Sequence, residues 1–227
     1  MQHNYNAIIA GSSGLVGSKL LALLEQTSHI DTIYALCRSP LDSQHQKTRQ
    51  IMDGALRITD WDESLPTPTL GFICLGTTLH KAGSKAALEK IDLDLVCEVA
   101  QTMKLVGVKQ IAVVSSLGAS PRSLSHYLKC KGRVEQRIKQ MGFEHVVFVR
   151  PGPLAGREVD IRNDEVLVQR LFSVLSPIML GPLRSIAPIP AELVAKAMLY
   201  SVLQPNNAKY VTYNSANMRD MLSNYAN

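Results

Sequence analysis

The chain has 227 residues, 46% of them hydrophobic and 19% charged, which is the balance of an ordinary soluble globular protein. Its net charge of +5 comes from dispersed lysines and arginines, without a basic run or interleaved aromatic residues, and this argues against a nucleic-acid partner. The apolar runs are shorter than the roughly 20 residues that cross a bilayer. The N-terminus has no basic segment followed by an apolar one, so we predict no signal peptide, no membrane association and a cytoplasmic protein.

The first 150 residues alternate short apolar runs with longer amphipathic segments. The apolar runs predict strands at 5–10, 31–37, 55–58, 70–75, 110–116 and 145–149. The amphipathic segments predict helices at 14–26, roughly 84–104 and 123–141, whereas 40–53 is polar and predicts a loop or a short helix. Continuously apolar strands between amphipathic helices are typical of a parallel sheet covered on both faces. The predicted fold class is therefore α/β, with a doubly wound parallel sheet of the Rossmann type.

The sequence changes character after Pro151. It becomes rich in proline and glycine at 150–158 and 176–190, and a helix at about 190–203, a strand at 209–214 and a terminal helix are predicted to follow. This part is too short and irregular to be an independent domain. We therefore expect residues 1–227 to form a single domain, to which 152–227 contributes a small substrate-side cap.

A glycine-rich turn, AIIAGSSGLVGSKLL, lies between the first predicted strand and the first helix. In a dinucleotide-binding turn the first glycine permits the tight bend, the second lets the backbone approach a pyrophosphate, and the third lets the helix pack close to the strand. Backbone amides at the helix N-terminus and two serine hydroxyls would face the phosphates. The predicted cofactor-binding residues here are Gly11, Ser12, Ser13, Gly14, Leu15, Val16 and Gly17.

The second strand ends in YALCRSP, where an acidic residue would bind the adenine ribose 2′-hydroxyl and favour NAD. Arg38 and Ser39 occupy this position instead. A guanidinium suits a 2′-phosphate, so we predict NADP(H) as the cofactor. Asp60 and Trp61 follow the predicted third strand, and we expect them close to the adenine.

Polar residues end the fourth and fifth strands. CLGTTLH places Gly76, Thr77 and Thr78 at the carboxyl edge of the sheet, and VVSSLGA places Ser115 and Ser116 at the same edge. Because open α/β sheets bind their ligands at this edge, we expect these residues to line the ligand site.

The predicted helix at 123–141 carries a lysine within its apolar stripe. Lys131 lies one turn after Tyr127, so the two side chains are neighbours on the face that packs toward the sheet. A free phenol is too weak a base at neutral pH, and a nearby ammonium stabilises its phenolate.

These features together resemble an atypical short-chain dehydrogenase/reductase. The glycine turn, Ser116, the Tyr127-x-x-x-Lys131 pair and an RPG sequence fall in the family's order over essentially the whole chain. The chain is most similar to the small oxidoreductase subgroup named for the Tat-interactive protein. The stretches that carry this similarity are Cys74–Thr78, Lys81–Gly83, Ser115–Ala119, Arg150–Gly152 and Val194–Leu199.

The resemblance implies an NADP(H)-dependent oxidoreductase that acts on a small carbonyl or alcohol. Tyr127 would be the acid/base, Lys131 its activator and a donor to the nicotinamide ribose, and Ser116 the partner of the substrate oxygen. Further residues that the resemblance places at the cofactor are Ser115, Arg150, Pro151 and Gly152.

Asp92 departs from the family pattern, because many members carry an Asn there that supports a proton relay. The resemblance to the Tat-interactive subgroup, together with Asp92, also implies an alternative function, an NADPH-binding redox-sensing regulatory or protein-interaction module with little turnover. A nucleotide-sugar epimerase or dehydratase is less favoured, since the C-terminal region is short. We expect a small-molecule substrate as a partner. Because relatives often form dimers, a second copy of the chain is another candidate partner, and the regulatory alternative adds a protein.

No metal site is predicted. The four cysteines, which are Cys37, Cys74, Cys97 and Cys130, include no CxxC pair, and the six histidines are scattered. Free cysteines are commonly buried, so we expect four reduced, mostly buried thiols.

Overall fold

The computed structural model describes residues 4–155, 187–203 and 208–224. Within these ranges the strands are β1 (Tyr5–Ala10), β2 (Ile30–Cys37), β3 (Thr48–Met52), β4 (Leu70–Ile73), β5 (Gln110–Val114), β6 (His145–Arg150), β7 (Leu154–Ala155), β8 (Ile189–Pro190) and β9 (Tyr210–Asn214). The helices are α1 (Leu15–Gln26), α2 (Leu79–Ala82), α3 (Lys85–Glu89), α4 (Val96–Leu105), α5 (His126–Lys139), α6 (Ala191–Leu203) and α7 (Ser215–Ser223). A π-helical turn, Lys90–Leu95, joins α3 to α4.

Seven parallel strands form the central sheet in the order β3-β2-β1-β4-β5-β6-β9. The strand order reverses between β1 and β4, and this reversal opens a crevice above the carboxyl ends of the two strands. The predicted doubly wound α/β fold is confirmed. The two short strands β7 and β8 pair with each other outside the sheet.

Alternate residues of the central strands face opposite layers, as the two-residue period of a strand requires. Ile9 of β1 belongs to a core that includes residues of α1 and α6. Its neighbour Ile8 belongs to a second core that includes residues of α4 and α5. Burial on both faces explains why these strands are apolar at every position.

The prediction of the third strand was wrong. The strand is β3 at Thr48–Met52, inside the segment predicted as a loop or short helix, and it lies at the edge of the sheet, where Arg49 and Gln50 are exposed. An edge strand with one neighbour needs no continuous apolar run. The predicted strand at 55–58 is a turn, because the Asp53 carboxylate accepts hydrogen bonds from the backbone amides of Ala55 and Arg57, each at 2.9 Å.

The C-terminal elements complete the central layers. Helix α6 packs against α1, and β9 extends the sheet beside β6, so the predicted helix, strand and terminal helix are confirmed. Most of the remaining cap region, 156–186, lies outside the described residues, and the cap stays a prediction. Among the described residues, the helices include none that is both long and apolar enough to cross a membrane.

Substitution of Gly17 tests the close approach of α1 to the preceding turn. A Cβ on Gly17 would lie 2.0 Å from the carbonyl oxygen of Gly11, whereas a Cβ on Gly54 would have no heavy atom within 4 Å among those described. We expect Gly17→Ala to lower the free energy of unfolding by about 3 kcal/mol, because backbone must shift. Gly54→Ala should change it by less than about 0.5 kcal/mol. Urea unfolding measures both, and equal losses would contradict the packing.

Candidate functional site

Two adjoining cavities lie at the carboxyl edge of the sheet, where the strand order reverses. The larger has a volume of about 910 Å³ and the smaller about 120 Å³. The two share four lining residues, which are Gly14, Cys74, Leu75 and Gly76. The larger volume falls within the range of small-molecule and cofactor sites. One elongated ligand could therefore occupy both cavities across the glycine turn.

The glycine turn has the features that a phosphate group requires. Gly11 has a φ of 87°, which permits the bend, and Gly14 precedes α1 in an extended conformation. The first turn of α1 contains neither an acidic residue nor a side-chain cap in the described structure, so its amide groups remain free for an anion. The hydroxyl of Ser12 is buried and has no hydrogen-bond partner among the described residues. A phosphate oxygen would accept from both groups, so the turn fits a dinucleotide.

The smaller cavity contains Arg38, at the end of β2, beside the glycine turn. This is the position expected for a residue that distinguishes NADP(H) from NAD(H). The arginine side chain is exposed, so it can reach a bound 2′-phosphate without losing a buried partner.

Leu56 also lines the smaller cavity, and the sequence analysis missed it. It is buried, with a φ of 56°, a left-handed conformation that costs energy for a side chain of this type. The Asp53 hydrogen bonds hold the turn, and the Leu56 amide donates to the Asp53 carbonyl at 3.0 Å. The Asp53–Gly54 dipeptide was the available sequence signal, since Asp-Gly is typical of a tight turn.

Five of the predicted cofactor-binding residues line neither cavity in the described part of the chain. They are Gly17, Ser39, Asp60, Trp61 and Arg150. The expected adenine contacts of Asp60 and Trp61 depended on the predicted strand at 55–58. The observed strand β3 ends at Met52, so both residues lie in a later loop. The Trp61 ring instead packs edge-on against Tyr34, with 5.0 Å between the ring centroids.

The larger cavity brings together most of the predicted residues, from the glycine turn and the start of α1, from the segments that follow β4, β5 and β6, and from α5. It is lined by Gly14, Leu15, Val16, Gly76, Thr77, Thr78, Ser115, Ser116, Tyr127, Lys131, Pro151 and Gly152. Lining residues that the sequence analysis did not single out include Leu75, Lys81, Leu88, Leu117, Pro153 and Leu154. Most of these are apolar, and sequence pattern alone does not distinguish a cavity wall from the core.

A buried ion pair holds Lys131 at the wall of this cavity. The Lys131 ammonium lies 2.7 Å from Oδ1 of Asp92, and the two side chains are only 4% and 0% exposed. Asp92 lies in the π-helical turn, and its other oxygen accepts from the Thr77 amide at 2.9 Å. Gly76 leaves room for the pair, because a Cβ there would lie 3.3 Å from Asp92 Oδ1.

Tyr127 stands one turn before Lys131 on α5, with the ammonium 5.9 Å from its ring centroid. The Lys131 ammonium also donates to the Leu75 carbonyl at 3.4 Å. An ammonium has three hydrogens, and its one hydrogen bond among the described residues is to Leu75, so at least one hydrogen remains beside the ion pair with Asp92. The geometry leaves that donor for a ligand in the cavity.

The two serines at the end of β5 have different surroundings. Ser115 is buried and donates to Glu135 Oε1 at 2.5 Å, and Arg150 binds the same carboxylate through two hydrogen bonds. These hydrogen bonds raise the pKa of Arg150 above its ordinary value. Among the described residues, the Ser116 hydroxyl makes only a 3.5 Å contact with the Leu117 carbonyl, so of the two serines it is the one available to a ligand.

Glu135 is a structural partner that the sequence analysis missed. It is buried on α5, one turn after Lys131, so Tyr127, Lys131 and Glu135 form a series at four-residue spacing. The available sequence signal was that Glu135, like Lys131, places a charge on an apolar helix face, which indicates a buried partner. Arg150, predicted to bind cofactor, is that partner.

The larger cavity also contains Cys74, but this thiol is a poor nucleophile. Burial raises its pKa to about 12, so it stays protonated at neutral pH. Its sulfur lies 3.9 Å from the Met198 sulfur. Cys74 is therefore part of the cavity wall, whereas Ser116, Tyr127 and Lys131 contribute polar groups to the same cavity.

Comparison with known proteins identifies the family. The HIM1 family model matches residues 67–180, half of the chain. The mitochondrial protein FMP52 of Debaryomyces hansenii is 30% identical over 206 residues, which cover 88% of each chain. The chain belongs to the HIM1/FMP52 family. The FMP52 protein of Saccharomyces cerevisiae is 31% identical over 166 residues, covering 70% of this chain and 69% of the yeast protein.

Solved structures with the same fold are NAD(P)-binding Rossmann proteins of the short-chain dehydrogenase and epimerase type. MoeE5 in complex with UDP-glucose and NAD has a TM-score of 0.65 at 14% identity, covering 97% of this chain and 81% of MoeE5. A short-chain dehydrogenase from Burkholderia cenocepacia in complex with NADP has a TM-score of 0.61 at 16% identity, covering 100% and 94%. The resemblance is thereby confirmed for the fold, but the Tat-interactive subgroup is not confirmed by these relatives.

The prediction of a cytoplasmic protein was wrong. The curated relatives are named as mitochondrial proteins in several fungi. The N-terminal pattern concerns secretion, and the length of the apolar runs concerns bilayer spans. Neither feature distinguishes the cytoplasm from a mitochondrial compartment.

The buried ion pair predicts unequal effects of two similar substitutions on α5. Lys131→Met leaves the Asp92 carboxylate buried without its cation, so the free energy of unfolding should fall by about 3–5 kcal/mol. Arg137→Met removes a pair with Asp94, whose side chains are about half exposed, and should cost at most about 1 kcal/mol. Urea unfolding of both variants measures the difference. A loss of less than 1 kcal/mol for Lys131→Met would contradict the pairing.

Proposed function

We propose that the chain is an NADP(H)-dependent oxidoreductase of the short-chain dehydrogenase type, acting on a small carbonyl or alcohol in mitochondria. The observation that carries this proposal is the convergence of Ser116, Tyr127 and Lys131 on one cavity beside a glycine turn that fits a dinucleotide. The mitochondrial location follows the names of the relatives. The residue types match the chemistry, because reduction of a carbonyl creates an alkoxide that needs a proton and a hydrogen-bond donor.

The bound cofactor would supply or accept the hydride. Ser116 would donate a hydrogen bond to the carbonyl oxygen, and Tyr127 would give its hydroxyl proton to the same oxygen as negative charge develops there. The Lys131 ammonium would stabilise the resulting phenolate and use its remaining hydrogen to hold the nicotinamide ribose. Asp92 and Leu75 fix the position of that ammonium before any ligand binds.

The smaller cavity supports the choice of NADP(H). Arg38 would bind the 2′-phosphate through its guanidinium, and Leu56 would pack near the adenosine. The amides at the start of α1 and the Ser12 hydroxyl would hold the pyrophosphate.

Asp92 favours a second candidate, an NADPH-binding sensor with little turnover. Its carboxylate neutralises the Lys131 charge at 2.7 Å, and this weakens the help that the ammonium gives to Tyr127. Such a protein would bind NADPH and present a changed surface to a partner without consuming the cofactor. Turnover separates the two candidates.

Removal of the Tyr127 hydroxyl tests the enzyme. With a panel of aldehydes, ketones and UDP-sugars, the wild type should oxidise NADPH on at least one carbonyl. Tyr127→Phe should lower kcat by about 100-fold or more, with NADPH binding unchanged, because only the proton donor is lost. Tyr210→Phe, in β9 and lining neither described cavity, should keep full activity. Tight NADPH binding without turnover on any substrate would instead favour the sensor.

The cofactor preference tests Arg38. Arg38→Ala should weaken NADPH binding by about tenfold or more and leave NADH binding unchanged, since only the 2′-phosphate contact is lost. Arg122→Ala, an exposed arginine that lines neither described cavity, is the matched control and should change neither affinity. Fluorescence titration with each nucleotide measures the ratio. Equal affinities of the wild type for NADH and NADPH would refute the assignment.

A further inference from the structure

Three potential metal ligands meet at the start of α5, where His126 and Cys130 directly precede Tyr127 and Lys131. His126 and Cys130 are one helical turn apart on α5, and Glu89 ends α3. Their ligand atoms all lie within 4.8 Å of one another. His126 Nε2 is 3.6 Å from Glu89 Oε2 and 3.7 Å from Cys130 Sγ.

We propose that Glu89, His126 and Cys130 bind a divalent cation, Zn²⁺ in particular. Thiolate, imidazole and carboxylate are the ligands that Zn²⁺ takes in proteins, at about 2.3, 2.0 and 2.1 Å. Tetrahedral bonds of these lengths separate the ligand atoms by about 3.4–3.6 Å. The two separations from His126 Nε2, 3.6 and 3.7 Å, lie within a few tenths of an ångström of those values, and the Glu89 and Cys130 ligand atoms lie within 4.8 Å of each other, so side-chain shifts would close the site. Three protein ligands leave a fourth position for water.

The surroundings of the cluster suit this role. Glu89 uses its other oxygen, Oε1, to contact the Arg133 guanidinium at 3.3 Å, which orients the carboxylate while Oε2 faces the histidine. Partners of this kind commonly support metal ligands. The His126 and Glu89 side chains are each about one third exposed, so a cation can enter from solvent although Cys130 is buried.

Cation binding has a defined proton balance. The Cys130 thiol would release its proton to solvent and bind as thiolate. His126 Nε2 lies 3.2 Å from the Lys85 carbonyl oxygen, which can only accept a hydrogen bond. Without a metal ion, Nε2 therefore carries the imidazole proton in this contact. As a ligand, Nε2 would be the unprotonated nitrogen, with the proton on Nδ1. No electron transfer is involved.

The cation would join the two segments that carry the buried ion pair. Glu89 precedes Asp92 by three residues, and Cys130 directly precedes Lys131. A cation bound between α3 and α5 would therefore hold those segments together and stabilise the fold by mass action. This differs from the expectation of no metal site, which overlooked that His126 and Cys130 share one helix face. The proposal does not rest on the proposed function, since none of its ligands lines either described cavity.

Cobalt titration of the full-length chain, with any affinity tag removed and with a reductant that is not a thiol, tests the site. The wild type should bind one Co²⁺ per chain, with the visible bands of tetrahedral Co²⁺ and a thiolate-to-metal band in the near ultraviolet. Cys130→Ser should lose the thiolate band. Cys97→Ser, a matched change of another buried free cysteine in α4, should keep it.

Two further variants and a second measurement complete the test. His126→Gln and Glu89→Gln should each weaken Co²⁺ binding by about tenfold or more, as loss of a ligand requires. Zn²⁺ should raise the Tm of the wild type and of Cys97→Ser, but not of Cys130→Ser. Folded wild-type protein without a thiolate band, or a band that persists in Cys130→Ser, would overturn the proposal. NADPH titration of the same variants should show unchanged binding, which separates this outcome from failure of the proposed function.

Discussion

The buried ion pair between Lys131 and Asp92 is the interaction on which the rest of the site depends. A buried ammonium or carboxylate costs several kcal/mol unless a partner compensates it, so the π-helical turn and α5 must stay in register. The Lys131 ammonium and Asp92 Oδ1 lie 2.7 Å apart, and the absence of a side chain at Gly76 leaves space for the pair. Because Tyr127 is one turn before Lys131, the same constraint keeps the phenol at the cavity wall. A π-helical turn is uncommon and often marks a functional segment, which fits the position of Asp92.

A second buried charge fixes α5 one turn further along the helix. Glu135 binds Arg150 at the end of β6 and accepts from Ser115 at the end of β5. Helix α5 is thus tied to two strands of the sheet and to the π-helical turn through two charges one turn apart. This network uses the hydroxyl of Ser115 and leaves that of Ser116 available. Groups that act on a ligand are held best when rigid elements and satisfied partners support them.

Much of the fold could be predicted from the sequence, because strands buried on both faces are apolar at every position. The exception was β3, an edge strand whose polar residues resemble a loop, and that error displaced Asp60 and Trp61. The importance of Lys131 could be predicted, because a cation on an apolar helix face indicates a buried partner or a ligand site. Its partner could not be, since pairing across the fold depends on tertiary packing. Glu135 and His126 lay on the same helix, at four-residue spacing from residues already singled out, and were missed.

We propose above all that the two adjoining cavities form one nicotinamide dinucleotide site, with Lys131 held in place by Asp92 before the ligand arrives. Isothermal titration of the full chain with NADPH tests this most directly. We expect one saturable site per chain, a Kd below about 100 μM, and displacement by NADP⁺. A folded chain that shows no saturable binding at millimolar NADPH would contradict it.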